Sequence, residues 1–247
     1  MHRIRCSEIW GGNKNLDEDV CTGGITASLF SSAADGGKGG DIYYISVCGS
    51  DLLTRIAIAD VVGHGESVSQ VSDWLYQSLA ARMNDGAGDA VLSDVNNLAF
   101  EHGLDAMTTA AIIAFYQENS TLYLSYAGHP PIYVSSDSGR GWHTVQLGQP
   151  QKKGSLPLGV LEDTPYEQQS VELKAGDGIL IYTDGVVEAP NQDRILFGEE
   201  RLLEALKAIG DTATPKEVKE QVVSQLRDFT GGSLEHDDVT VLAVQVN

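Results

Sequence analysis

The helical period occurs in only two places in this sequence, each time as a pair of segments, and strand-like runs fill most of the remainder. From Ser67 to Met83, Val68, Val71, Leu75 and Leu79 recur at steps of three and four residues. Asp89 to Phe100 repeats the pattern with Val91, Val95, Leu98 and Ala99. The second pair runs from Glu199 to Ala208 and from Pro215 to Phe229, the latter with Val218, Val222, Leu226 and Phe229 on one face. Strands are expected at 24–30, 42–47, 55–60, 108–116, 121–126, 131–134, 144–147, 168–173, 178–183 and 239–246. Residues 1–23, polar and Gly-rich as far as about Asp19, read as a loose N-terminal lead-in.

Helices grouped in pairs, rather than alternating with strands, disfavour a doubly wound sheet or a βα barrel. Hairpin-sized links between the middle strands favour antiparallel pairing. The apolar faces are all buried if two sheets pack face to face with a helix pair outside each. The expected fold class is therefore α+β, a four-layer αββα sandwich of two mainly antiparallel sheets. With no internal repeat and no long linker, the 247 residues are expected to form one domain.

Charge narrows the function classes. Thirty-five acidic side chains against 16 basic give a formal net charge of −19, a field that repels nucleic-acid phosphates and anionic lipid and attracts cations. No nucleic-acid or membrane partner is expected. Cys6, Cys21 and Cys48 have neither the spacing of a disulfide framework nor that of a zinc knuckle. The opening Met1-His2-Arg3-Ile4-Arg5-Cys6 lacks a signal-peptide core, and no apolar run approaches a membrane span of about 18 residues, so a cytoplasmic location is expected.

Several aspartates lie at strand ends with glycine nearby. Asp41 follows Gly39-Gly40; Asp60 ends one strand and precedes Gly63; Asp184 ends another and precedes Gly185; Asp237-Asp238 immediately precedes the last strand. Taken singly, each is ordinary turn chemistry. Together, four such rims meeting at one end of a sandwich would gather carboxylates that stay ionised only beside cations. Oxygen ligands with few histidines suit Mg²⁺ or Mn²⁺ rather than Zn²⁺.

The segments Gly39-Gly40-Asp41-Ile42-Tyr43, Ile58-Ala59-Asp60-Val61-Val62-Gly63-His64-Gly65, Tyr126-Ala127-Gly128-His129-Pro130-Pro131, Leu156-Pro157-Leu158-Gly159-Val160, Ala175-Gly176-Asp177 with Tyr182-Thr183-Asp184-Gly185-Val186-Val187-Glu188-Ala189, and Asp237-Asp238-Val239-Thr240 occur in that order. Together they resemble the SpoIIE-like branch of the metal-dependent (PPM, type 2C-like) protein serine/threonine phosphatases, over roughly Gly24 to the C-terminus. The resemblance implies the αββα sandwich and two Mn²⁺ or Mg²⁺ ions between the sheets. It casts Asp60 as the carboxylate bridging both ions and Val61, where many relatives have glycine, as a backbone-carbonyl ligand. Asp41 becomes a ligand acting largely through water, and Asp184 a direct ligand. Asp237 is implied as the closing ligand and Asp238 as its hydrogen-bonding neighbour, with their order left open. Asp60 and Asp184 would act catalytically through the metal-activated water.

By the same resemblance the substrate is a phosphorylated anti-sigma-factor antagonist or similar small regulator, and a separate sensor or regulator protein is expected as partner. Two other readings stand beside this one: a catalytically silent pseudophosphatase that binds a regulator, and a small-molecule phosphoesterase. Of the remaining residues, Arg3 and Arg5 are conceivable phosphate anchors. Lys38 reads as a solvated loop lysine and His64 as a rim residue. His129 and Asp177 read as turn residues, Asp105 as a loop residue, and Glu188 as a neighbour of the site. A zinc triad of His64, His129 and His236 does not follow from their spacing. The helix from Ser67 to Met83 begins just after the Asp60 turn and is a candidate regulatory switch.

Overall fold

A computed structural model describes residues 1–48, 51–63, 66–84, 86–136, 141–145, 156–210 and 213–247. Six strands come first: β1 (His2–Arg3), β2 (Ile9–Lys14), β3 (Leu16–Cys21), β4 (Ile25–Ser32), β5 (Lys38–Cys48) and β6 (Leu53–Val61). Helices α1 (Glu66–Arg82) and α2 (Gly88–His102) follow, then β7 (Thr108–Tyr116), β8 (Thr121–Ala127), β9 (Tyr133–Ser136), β10 (Gly141–Thr144), β11 (Gln168–Glu172) and β12 (Gly178–Tyr182). The short α3 (Asp184–Val187), α4 (Gly198–Ile209), α5 (Pro215–Thr230) and β13 (Val239–Val246) complete the chain.

The strands form two sheets, one in the order β1-β3-β4-β13-β12-β9-β10 and the other β11-β8-β7-β6-β5-β2. Among the described residues every ladder is antiparallel except β1 with β3. Side-chain alternation then makes three apolar layers. Ile45, Ile56, Ile58 and Ile113 of the six-stranded sheet face Leu29, Ile179, Ile181 and Leu242 of the seven-stranded sheet. On the outer face of the six-stranded sheet, Ile42, Tyr44 and Ala57 meet Leu75 and Leu79 of α1 and Leu92 and Val95 of α2. Outside the seven-stranded sheet, Leu180, Val241 and Ala243 meet Leu202 and Leu206 of α4 and Val218, Val222 and Leu226 of α5. This is the expected αββα order of layers.

The structure corrects the reading of residues 1–23. They are not a loose lead-in: β1, β2 and β3 join the two sheets, and Ile4 and Val20 lie in the inter-sheet core. The glycines that suggested a loop serve close approach instead. A Cβ on Gly11 would stand 2.4 Å from the Tyr43 carbonyl oxygen and 3.1 Å from Tyr76 of α1. Lys38 likewise is not a loop lysine, since it opens β5 and pairs with Asp73 of α1. The strand expected at 144–147 is displaced to Gly141–Thr144, with residues 146–147 outside the described part. The four-residue α3 was too short for its period to register.

Candidate metal centre

The parity of the strands decides which side chains enter the space between the sheets. In β5, Ile42 and Tyr44 face the helices while Tyr43 and Ile45 face inward, so Asp41 faces inward. In β6, Ala57, Ala59 and Val61 pack toward the helices while Ile56 and Ile58 face inward, which turns Asp60 inward too. Asp41 and Asp60 are direct antiparallel partners at the end of the ladder. In the opposite sheet the same alternation turns Thr183, Thr240 and Asp238 inward. Asp184 opens α3 directly after Thr183, and Asp237 precedes β13. Carboxylates from both sheets therefore converge on one rim.

The rim is mutually repulsive. Burial first, then the nearby Asp238 and Asp184, push the Asp41 carboxyl well above the usual carboxylate range, against the opposing pull of the Thr240 and Thr183 hydroxyls. Burial, followed by the charges of Asp41, Asp184 and Asp237, pushes Asp60 up in the same way. Asp237 is raised chiefly by its own burial, with Asp184 and Asp238 adding to it. Exposed Glu188 is raised too, by partial desolvation and then by Asp184 and Asp237. Carboxylates arranged in this way favour either protons or cations.

The donor set fits hard divalent ions. Asp41 Oδ1 is buried with no hydrogen-bond partner, while Asp41 Oδ2 accepts from Thr183 Oγ at 2.8 Å. Val61 shows why a side chain is tolerated where close approach favours glycine. Its isopropyl group packs into the helix-facing core, and its carbonyl oxygen lies beside Gly40, where a Cβ would come within 2.8 Å. Among the described residues, no group of three acidic, histidine or cysteine side chains is drawn together closely enough to hold a metal ion.

Asp238 differs from the other carboxylates. It is buried, its Oδ1 accepts from the Ala34 amide at 2.8 Å, and its Oδ2 accepts from the Gly40 amide. Asp237 Oδ1 accepts from the Asp238 amide at 2.9 Å. Gly185 allows α3 to approach this turn, because a Cβ there would stand 2.0 Å from the Asp238 carbonyl oxygen. His236 donates from Nε2 to the Gly185 carbonyl oxygen at 2.8 Å. Thr183 and Thr240 were not singled out by sequence reasoning, yet Thr183 Oγ both donates to Asp41 and accepts from the Thr240 amide at 2.9 Å. The signal available was a hydroxyl at an inward position of an otherwise apolar strand.

The other candidates lie apart from this network. His129 donates from Nδ1 to the Pro130 carbonyl oxygen, Asp177 accepts from the Lys174 amide in a turn, and Asp105 is exposed in a single 3₁₀ turn. His64 lies outside the described residues.

Known proteins share both the sequence pattern and the fold. The family model described as Stage II sporulation protein E (SpoIIE) matches residues 50–247. Phosphoserine phosphatase RsbU of Bacillus subtilis is 26% identical over 197 residues, covering 77% of this chain and 55% of the relative. The chain spans between about a quarter and just over half of the length of the curated relatives it matches. The crystal structure of the RsbU and RsbW domains of Rv1364c from Mycobacterium tuberculosis superposes with a TM-score of 0.74 at 22% identity, covering 95% of this chain and 63% of that one. RsbX crystallised with magnesium gives a TM-score of 0.68 at 16% identity, covering 94% of this chain and all of that one. The ordered aspartate motifs, the four layers and a family match across most of the length agree: this chain belongs to the SpoIIE-like branch of the PPM (type 2C-like) protein serine/threonine phosphatase family.

Proposed function

We propose that this chain hydrolyses phosphoserine or phosphothreonine in a phosphoprotein, using two Mn²⁺ or Mg²⁺ ions held between its sheets. The observation that carries the proposal is convergence: Asp41 and Asp60 from one sheet meet Asp184 and Asp237 from the other at a partly buried rim of mutually perturbing carboxylates. In this reading Asp60, Asp184, Asp237 and the Val61 carbonyl oxygen would hold the ions, with Asp41 contributing largely through water. Bound ions would lower the pKa of a shared water and neutralise phosphoryl oxygens. The chain's own part is to fix the donors. Thr183 holds one oxygen of Asp41 so that the other stays free. Asp60 and Asp184 would act through the ions they hold, which would place a water for attack on phosphorus.

The substrate class we propose is a phosphorylated anti-sigma-factor antagonist or similar bacterial regulator, with the reaction in the cytoplasm and under the control of a separate sensor protein. The likeness to phosphoserine phosphatases RsbU and RsbP supports it, and the charge of −19 disfavours nucleic acid as an alternative partner. Among the described residues no helix is long and apolar enough to cross a membrane. The test is turnover of a phosphoserine peptide and of an aryl phosphate with Mn²⁺, then with chelator, in the wild type and in Asp60→Asn and Asp184→Asn. Metal-dependent peptide turnover abolished by both substitutions is expected. Activity surviving in both variants rejects the mechanism; turnover of the aryl phosphate alone favours a small-molecule phosphoesterase; metal binding without turnover of either favours a silent regulator-binding module.

A further inference from the structure

The proposed ligands come from two different sheets, so something must set the gap between them. Asp41, Asp60 and Val61 belong to the six-stranded sheet, whereas Asp184 and Asp237 flank strands of the seven-stranded sheet. The connection from β4 to β5 carries the chain from one sheet to the other within residues 33–37, beside the site. Asp238 closes this crossing. It immediately precedes β13, whose first residue, Val239, pairs with Ser32 at the end of β4. Its carboxylate reaches across to accept the amides of Ala34, in the connection, and Gly40, in β5 next to Asp41. Buried hydrogen bonds from backbone amides to a carboxylate are charge-assisted and strongly directional.

Two glycines complete the fit. A Cβ on Gly39 would stand 2.6 Å from the Asp238 carboxylate, and one on Gly40 would stand 2.8 Å from the Val61 carbonyl oxygen and 3.4 Å from Asp238 Oδ2. The glycines thus let the β5 backbone lie directly against the Asp238 carboxylate, whose two oxygens are both taken by backbone amides.

We propose that Asp238 is a positioning residue rather than a metal ligand, and that it sets the separation of the two half-sites by clamping the inter-sheet crossing to the start of β13. The inference rests on the metal-dependent reading above, with Asp237 as the closing ligand. Because the clamp involves only protein groups, it is also measurable without metal.

Two measurements on the full chain test it: Mn²⁺ binding by calorimetry, and amide hydrogen exchange at Ala34 and Gly40 in chelator. In Asp238→Asn one amide faces an NH₂ group instead of an oxygen. The variant is expected to bind as many ions as wild type, with affinity weakened on the order of 10–100-fold. Activity should return when Mn²⁺ is raised, and exchange at Ala34 and Gly40 should accelerate. Gly39→Ala leaves every proposed ligand in place, and the same weakening is expected from it if Asp238→Asn fails to fold. Asp237→Asn, by contrast, should lose an ion and stay inactive at any Mn²⁺ concentration. Loss of one ion from Asp238→Asn with both amides still protected overturns the proposal in favour of direct ligation. Wild-type affinity and exchange in either clamp variant also overturn it. A wild-type chain that binds no Mn²⁺ would sink the metal-dependent function, while the exchange arm would still decide whether the clamp exists.

Discussion

Asp41 and Asp60 stand directly opposite one another in the β5–β6 ladder, the last pair before the strands part. Like charges in that relationship repel across a cross-strand gap of about 5 Å, and here both carboxyls face the space between two sheets. Burial and neighbouring carboxylates raise both groups well above the usual carboxylate range, a combination found more often at functional sites than in purely structural pairs.

Relieving that repulsion should stabilise the metal-free protein. Asp60→Asn in chelator is expected to gain about 1 kcal/mol, a rise in Tm of roughly 2–4 °C for a chain of this size. Added Mn²⁺ should raise the wild-type Tm well above this and leave the variant nearly unmoved, because ligands stabilise only the form they bind. Thermal melts with and without Mn²⁺ check both halves. A chelated variant less stable than wild type would mean that Asp60 is held by favourable contacts instead.

Thr183 links the two sheets through a single buried hydroxyl. It donates to Asp41 Oδ2 at 2.8 Å and accepts from the Thr240 amide at 2.9 Å. Thr183→Val preserves the shape and deletes both bonds, leaving a buried acceptor and a buried amide unsatisfied. A loss of about 2–4 kcal/mol is expected, with Thr183→Ser restoring most of it. Urea unfolding of the three proteins measures this; equal midpoints for valine and threonine would remove the hydroxyl from the account.

His129 makes stability depend on pH. Its Nδ1–H donates to the Pro130 carbonyl oxygen while Nε2 is buried without a partner, and burial pushes its pKa down to about 4. The unfolded chain takes up this proton near pH 6.5, whereas the folded chain resists until about pH 4. Stability from this group is therefore complete above pH 6.5 and falls as pH drops through the window between the two values. The change amounts to about 3 kcal/mol by linkage. His129→Gln has no such proton to take up, so the difference in unfolding free energy between the two proteins should narrow steadily in the variant's favour from pH 7 to pH 4. A constant difference would show that His129 is free to ionise in the fold.

What could be read from sequence followed physical lines. β7 and β13 were found at their true limits, 108–116 and 239–246, because runs such as Ala-Ala-Ile-Ile-Ala-Phe and Val-Leu-Ala-Val are buried on both faces and are bounded by polar residues. The aspartates at strand ends were legible because carboxylate beside glycine is visible as a pattern. The role of Thr183, the clamp formed by Asp238, and the ion pair of Lys38 with Asp73 were not, since each depends on which residues meet across the gap between elements. The N-terminal strands were hidden for a related reason. Gly11 and Gly12 carry a turn signal in sequence, yet Gly11 is selected by the nearness of Tyr43, which sequence spacing does not encode.

That concealed N-terminal segment gives the clearest test of how the sheets are built. Ile4 is completely buried, its amide donates to the Cys21 carbonyl oxygen at 2.9 Å, and its side chain sits in the inter-sheet core with Val20 and Ile25. Ile9, five residues later, is 43% exposed on β2. If residues 1–23 were a loose lead-in, alanine at either position would change little. With β1 and β3 completing the edge of the seven-stranded sheet, Ile4→Ala removes core contacts and leaves a cavity, at a cost of about 2–5 kcal/mol. Ile9→Ala should stay within about 0.5 kcal/mol of wild type. Urea unfolding of the two variants separates these cases, and equal midpoints would return the segment to the periphery of the fold.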